Sequence, residues 1–569
     1  MVRLVRRRLK VADPILRDTA PLVSRHRSIL FLTVVVAAVL YLGPLFINAP
    51  LTDPDEGLHA AIAQEMREHG DLVVPRFLGR AFFDKPVLFF WGQMASMSAF
   101  GMNTSAARLP GFLFALLGIA TTGWLARVLF DPLTGLTAAT CYATMTLPFM
   151  LAQAPVHDMA LVPFTNIALG CLWKAHKNPK AQIPKPKSQS ADSKSLGSWN
   201  LEFGIWDLLA GLSLGLSILT KGLVGVAIVG LAYGTCLLFA RMVTARTIWR
   251  GLVVIGMAVV VAAPWYFAME AREPGYLRYY FVDRHLLGFA TDTQRHAGQP
   301  WWFYLPLVAA GGLPWILYVR LPRRGSELRE WLPWTWLAGA LLLLSLSGSK
   351  AVTYVLPAMP AIAIMASQAW SASFASNSIA VPLKTQRILH AALFFVIVVL
   401  TPWAANRFGG QRPGVWEIAA FGALSGAWLW VALTSGSNAP VAWARLVILT
   451  AASCALAFAL LGPPLAQSHS SRDLAGYFNA RGSLPSTIYV MDQRVSFVYY
   501  LRPDVRRGLR ADQIQSVSVE ALDAMRPFPH DAVVALPADL AGRLLRVAEL
   551  RNAPRHVSGR YVIVEGDRR

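Results

Sequence analysis

ILFLTVVVAAVLYLGPLFINAPLTDPDEGLHA, residues 29–60, decides the fold. Residues 29–47 carry no charge, and a helix of that length crosses a hydrocarbon core of about 30 Å. Residues 51–60 follow at once with Asp53, Asp55, Glu56 and His59. A span whose far end gathers three carboxylates and an imidazole puts polar chemistry at a membrane rim.

The same apolar character recurs along the chain. The 569 residues are 55% hydrophobic with 19 Trp, too apolar for several soluble domains. Runs long enough to span predict about thirteen transmembrane helices. They lie near 29–47, 108–130, 133–150, 158–175, 206–220, 222–240, 249–269, 302–320, 331–348, 351–371, 388–404, 415–433 and 441–461. Arg3, Arg6, Arg7, Arg8 and Lys10 precede the first run, which is longer than a signal-peptide core and lacks a convincing cleavage site. A retained first span is expected.

A net charge of +21 invites a nucleic-acid partner, but its distribution argues against one. Lys174, Lys177, Lys180, Lys185, Lys187 and Lys194 share a loop with one acid, Asp192. Arg241, Arg246 and Arg250 follow in a second such loop, then Arg320, Arg323, Arg324 and Arg329 in a third. Basic loops stay cytoplasmic during insertion, so the charge is a topology signal. Thirteen spans place these loops and the N-terminus inside, and put loops 48–107 and 270–300 and everything after 461 outside. Cys141, Cys171, Cys236 and Cys454 all fall within spans and read as small buried residues, neither disulfides nor metal ligands.

The expected organisation is a polytopic α-helical membrane domain over 1–462 and a small external α/β domain over 465–569. KNPKAQIPKPKSQSADSKS, residues 177–195, reads as a flexible cytoplasmic linker. In the second domain TIYVMD, SFVYYL, DAVVAL and RYVIVE read as strands and ADLAGRLLRVAEL as an amphipathic helix. With no Walker loop and no GxGxxG, nothing points to nucleotide-driven chemistry.

The topology then sorts the charged residues at helix ends. Asp55 follows the first span and Asp158, in APVHDMALVPF, opens the fourth, both outside. Asp84 and Lys85, in RAFFDKPVLFFW, lie in the first external loop, in a stretch suited to the bilayer surface. Lys221 and Lys350 stand between spans on the same side. Each has an ordinary reading alone. An aspartate at a helix start is an N-cap, a lysine at a span end snorkels, and Trp and Phe form an interfacial belt. His59 and His157 read as hydrogen-bonded loop residues, although two Asp–His neighbourhoods leave a divalent metal open. The collection on one face is what these readings leave unexplained, since ionisable groups near a membrane mark working sites. Lysines suit a lipid phosphate, and a carboxylate suits an acceptor hydroxyl or positive charge developing on a sugar.

DPDEGLHAAIAQEM, GDLVVPRFLGRAFFDKPVLFFW, ARLPGF, QAPVHDMAL, LTKGLVGV, the run 264–306 and SGSKAVTYVLPAMP occur in that order over most of 50–360. In this the chain resembles the polytopic GT-C glycosyltransferases of the protein mannosyltransferase / aminoarabinose transferase superfamily. Residues 280–306 look most like the aminoarabinose (lipid A) branch. The resemblance implies a bacterial inner-membrane enzyme with a periplasm-facing site. It would transfer 4-amino-4-deoxy-L-arabinose from undecaprenyl phosphate, a polyprenyl-phosphate donor, to lipid A phosphate. Asp55 and Asp158 would take the catalytic carboxylate positions, and Lys85 the donor phosphate. Asp84, Glu56, His59, Lys221, Lys350 and Tyr354 would surround the substrates. Leu58-His59 stands where aminoarabinose transferases usually have Arg-Tyr, and Asp84 where they commonly have Glu, which bears on sugar and acceptor identity. Transfer of another sugar to a different envelope glycan or protein, or oligosaccharide ligation, is the alternative within the class. A lipid or solute transporter is the alternative outside it, but transporters bind near the midplane and the spans show no inverted repeat. A non-catalytic scaffold would leave the rim cluster without a role.

Overall fold

The structure, a computed structural model, describes residues 26–47, 49–154, 156–177, 204–290, 298–323, 325–376, 414–434, 438–491, 494–518, 531–538 and 555–565, with a few single positions between 384 and 403 and at 520–521. Most of the Lys-rich linker, most of the span read at 388–404 and nearly all of the helix read at 538–550 lie outside the described residues.

The charge-free opening run is α1 (His26–Phe46), whose last turns pass into π and then 3-10 geometry at Gly43-Pro44. Pro44 lacks the N–H that would continue the α ladder. After the short turn at the rim comes α2 (Asp55–His69), stopped by Gly70 in the left-handed region at φ 64°. A small hairpin, β1 (Arg76–Phe77) and β2 (Arg80–Ala81), leads to α3 (Leu88–Phe100). Then follow α4 (Thr104–Leu129), capped by the Asn103 side chain, and α5 (Pro132–Ala143), capped by Asp131 with proline at its first position. Next are α6 (Thr146–Ala152), α7 (His157–Lys177), α8 (Ile205–Lys221), α9 (Val224–Phe239), α10 (Ala245–Arg272), the π-helical α11 (Arg278–Leu287) and α12 (Tyr304–Gly311). The helical part closes with α13 (Leu328–Leu346), α14 (Val352–Ser376), α15 (Val415–Thr434) and α16 (Ala439–Ser468).

Among the described residues, five helices are long and apolar enough to span alone, and six if α5 and α6 count as one span bent by 60°. Other expected spans are shorter or interrupted. The run at 302–320 divides into α12 and a 3-10 turn at Trp315–Tyr318, separated by Gly312 and Pro314. α10 shows the solvent these helices face: Leu252, Ile255, Val259 and Val260 are exposed while Val254, Ala258 and Ala262 are buried. A helix apolar on its outer as well as its inner face is built for lipid, and the chain is a multi-pass membrane protein.

Close helix approach depends on small residues, because lipid gives apolar faces no reason to associate. Gly211 and Gly215 on α8 lie against α10; a Cβ at Gly215 would stand 2.5 Å from Val261 Cβ and 2.9 Å from the Ala258 carbonyl. At the other end of the same seam Arg250 donates to both oxygens of buried Asp207, Nη2 to Oδ1 at 2.9 Å. α7 packs between α4 and α8, which sets the site described below.

Helix α16 runs through Pro463 and Pro464, past the GPP where the character of the sequence changes. Beyond it lie α17 (Arg472–Arg481), β3 (Thr487–Val490), α18 (Phe497–Tyr500), α19 (Pro503–Arg506), β4 (Ile514–Ser516), β5 (Ala532–Pro537), β6 (Arg555–Ser558) and β7 (Tyr561–Glu565). The strands form one sheet in the order β4-β3-β5-β7-β6, with β3 parallel to β4 and β5, and β7 antiparallel to β5 and β6. SFVYYL, expected as a strand, is the short helix α18. Its Phe497, Val498 and Tyr499 are all buried, so no alternating face exists for a sheet to use.

Candidate active site

Asp158 is the second residue of α7 and is buried. Lys221 is the last residue of α8, and the packing of the two helices lets its Nζ donate to Asp158 Oδ1 in an ion pair. The two side chains are 11% and 7% exposed, so water screens little of their attraction and each depends on the other. The same ammonium stands 3.8 Å from the centroid of the Tyr354 ring, a cation–π contact with the first turn of α14. Lys85 joins this group from the loop before α3. The residue is half-buried, and burial pushes its ammonium below the ordinary lysine range; Lys221 pushes the same way, while Tyr354 and Asp158 oppose. Asp55, the exposed first residue of α2, lies near enough to act electrostatically on Lys221. The locus therefore combines two ammonium groups, one buried carboxylate, one accessible carboxylate and a phenol ring.

Asp84 sits beside this group and accepts a hydrogen bond from Tyr279 Oη at 2.7 Å, with Arg284 Nε 3.7 Å away. Burial first, and the bond to Asp84 second, push the Tyr279 phenol up to about 12. α11 thus supplies two partners that reading the charges alone did not single out. Their only trace in the sequence is the Tyr- and Arg-rich run 276–284 within the family-like segment.

Three expected residues take other places. Glu56 points inward. Its carboxylate accepts from Arg108 Nε at 2.5 Å and Nη2 at 3.1 Å, and from the Thr52 N–H at 2.7 Å and hydroxyl at 2.9 Å. Arg108 also donates to the carbonyls of Ala49 and Pro50, both at 2.8 Å, so it fixes the whole turn entering α2. Lys350 is buried and donates to the Ser347 carbonyl at 2.6 Å, closing its own turn. His59 and His157 are buried together with ring centroids 4.5 Å apart, and His157 also packs on Phe89 and Phe90. The expectation that His157 is a hydrogen-bonded loop residue is corrected: it opens α7, and neither ring nitrogen has a hydrogen-bond partner among the described residues. Among the described residues no group of three or more His, Cys, Asp or Glu side chains is arranged to hold a metal ion.

Comparison with known proteins finds relatives in sequence and in fold. The family of dolichyl-phosphate-mannose-protein mannosyltransferases matches residues 30–280. The undecaprenyl phosphate-alpha-4-amino-4-deoxy-L-arabinose arabinosyl transferase of Pseudomonas aeruginosa strain LESB58 is 32% identical over 348 residues, 59% of this chain and 58% of its own length. The protein of that name from Edwardsiella ictaluri is 29% identical over 69% of this chain and 71% of its own length. The match therefore spans little more than half of the first of these relatives. Among solved structures, ArnT from Cupriavidus metallidurans in the apo state superposes with a TM-score of 0.69 at 21% identity, covering 94% of this chain and 98% of that one. The same protein bound to undecaprenyl phosphate gives 0.67 at 20% identity, covering 94% and 99%. The fold is shared over nearly the whole chain, and in sequence the chain is similar to the protein mannosyltransferases over residues 30–280 and to the aminoarabinose transferases.

Proposed function

We propose that this protein transfers 4-amino-4-deoxy-L-arabinose from undecaprenyl phosphate to a phosphate of lipid A, at the periplasmic face of a bacterial inner membrane. The observation that carries the reading is the meeting of Lys85, Lys221 and Tyr354, all half-buried, with buried Asp158 at one locus and Asp55 beside it. Two cations set against one buried carboxylate suit a phosphate-bearing donor, and the names of the relatives supply the sugar and the lipid.

In the reaction an acceptor phosphate oxygen attacks the anomeric carbon. The bond from that carbon to the donor phosphate breaks, and undecaprenyl phosphate leaves with the electron pair. The nucleophile is already ionised, so no general base is needed. Lys85 and Lys221 stabilise the phosphate as its charge grows. Asp158 holds Lys221 in place and charged. Asp55 offsets positive charge developing on the sugar ring or binds its ammonium group. If the acceptor were a hydroxyl, one aspartate would instead take its proton.

Two measurements test this. Lipid A from cells with and without the gene is compared by mass spectrometry, and loss of the aminoarabinose-modified species with the gene is expected. Purified protein in detergent should move the sugar from undecaprenyl phosphate to lipid A without nucleotide or gradient. Unchanged lipid A with a change in another envelope glycan would transfer the assignment to that acceptor, and activity confined to sealed vesicles with a gradient would favour transport.

A further inference from the structure

Asp53, two residues before Asp55, turns its carboxylate onto the C-terminal sheet unit. Oδ1 accepts the backbone N–H groups of Val495 at 2.7 Å and Ser496 at 2.5 Å, and Oδ2 accepts the Ser496 hydroxyl at 2.8 Å. Ser496 Oγ also accepts the Ser471 N–H at 2.9 Å. The Asp53 N–H donates to the His469 carbonyl at 2.6 Å, and the Leu51 N–H to Tyr500 Oη at 2.7 Å. Ser496 is fully buried, and Gly57 lies directly beneath it: a Cβ at 57 would come within 2.2 Å of Ser496 Cβ. This is a close approach that only glycine permits.

The turn that presents Asp55 is therefore clamped twice. Arg108 holds Glu56 and the carbonyls of Ala49 and Pro50 from the membrane helices. Ser496 and its neighbours hold Asp53 from the C-terminal unit. Asp55 lies between the two clamped residues, so its carboxylate stands where they put it. A carboxylate that accepts two backbone N–H groups and a hydroxyl makes a directional contact, unlike an apolar seam that can slide.

We propose that Asp53 and Ser496 are positioning residues, and that the C-terminal unit serves the reaction by holding Asp55 in register through them. This rests on the reading of Asp55 as a catalytic group. Displacing a catalytic group by about 1 Å costs on the order of 100-fold in rate.

The test is a set of double-mutant cycles on the purified full chain, with undecaprenyl phosphate-linked aminoarabinose as donor. Asp53→Asn and Ser496→Ala should each lower kcat about 10–100-fold while KM for the donor moves less than about threefold. Gly57→Ala, which wedges the same seam open without removing a charge, should do the same. In the Asp55→Asn background each should add less than about twofold, because a residue that acts through Asp55 has nothing left to position. Arg506→Ala, which breaks the ion pair with Glu68 at the far end of the same interface, should leave kcat within about twofold. Losses that multiply with Asp55→Asn, or an Arg506→Ala loss equal to that of Asp53→Asn, would overturn the positioning role and leave the catalytic reading standing. Wild-type rates in Asp55→Asn itself would remove both. Thermal melting of each variant in detergent separates slow enzyme from unfolded enzyme.

Discussion

Lys85 and Lys221 share one locus but meet burial differently. Burial pushes both below the ordinary lysine range; for Lys221 the hydrogen-bonded Asp158 carboxylate opposes the shift, whereas for Lys85 the neighbouring ammonium adds to it. A lysine with a lowered pKa loses its charge earlier as pH rises. Donor affinity should therefore fall on the alkaline side through a Lys85 ionisation below that of an exposed lysine. Lys85→Arg should remove that limb, because guanidinium stays charged, but restore turnover only in part because its fork is wider. Lys85→Ala should weaken donor binding at every pH, as read by titration of undecaprenyl phosphate. For the buried pair, Asp158→Asn leaves an ammonium without its counter-charge and should cost about 3–5 kcal/mol of stability. Asp158→Leu with Lys221→Met should recover most of the melting temperature and none of the activity. Of these residues Asp158 and Lys221 were legible as charges bounding apolar runs. The inward turn of Glu56 and Lys350 was not, because position at a rim says nothing of which way a side chain points. Arg108 was visible inside ARLPGF, but its partner is 52 positions away and only folding brings the two together.

The helices that place these residues were largely legible from the apolar runs, and their breaks less so. α5 and α6 read as one span because no charge interrupts 133–150; the chain turns at Thr144 and Met145, where Thr144 bonds back to the Thr140 carbonyl. SFVYYL misled for a related reason: a short run that is apolar throughout carries no period, so strand and helix cannot be told apart by pattern. β4 and β6 escaped notice because each is short and polar on most positions. The α8–α10 seam gives a test of packing. Gly215→Ala puts a methyl 2.5 Å from Val261 Cβ and should destabilise by about 1–3 kcal/mol in a detergent melt, whereas Gly230→Ala, on α9 with open space around it, should not.

Across the whole molecule, the distribution of lysine and arginine orients the helices. Lys180 should be cytoplasmic and Asp55 and the C-terminus external. Cysteine substitution at these positions with a membrane-impermeant label should mark residue 55 and the C-terminus in intact spheroplasts and residue 180 only after lysis. A C-terminus on the inside would separate the sheet unit from the rim and refute the arrangement. The clamp on Asp53 also has a consequence for how the molecule is made. Asp53 and Val495 are 442 positions apart, so in a chain emerging from the ribosome every span of the helical domain is synthesised before the second half of that contact exists. A nascent chain already carries Asp158, Lys221 and Lys85, but acquires a fixed Asp55 only near the end of translation. Sugar transfer should begin as a late, stepwise event in biogenesis, so that stalled or prematurely released chains remain inert toward the lipid-linked sugars around them.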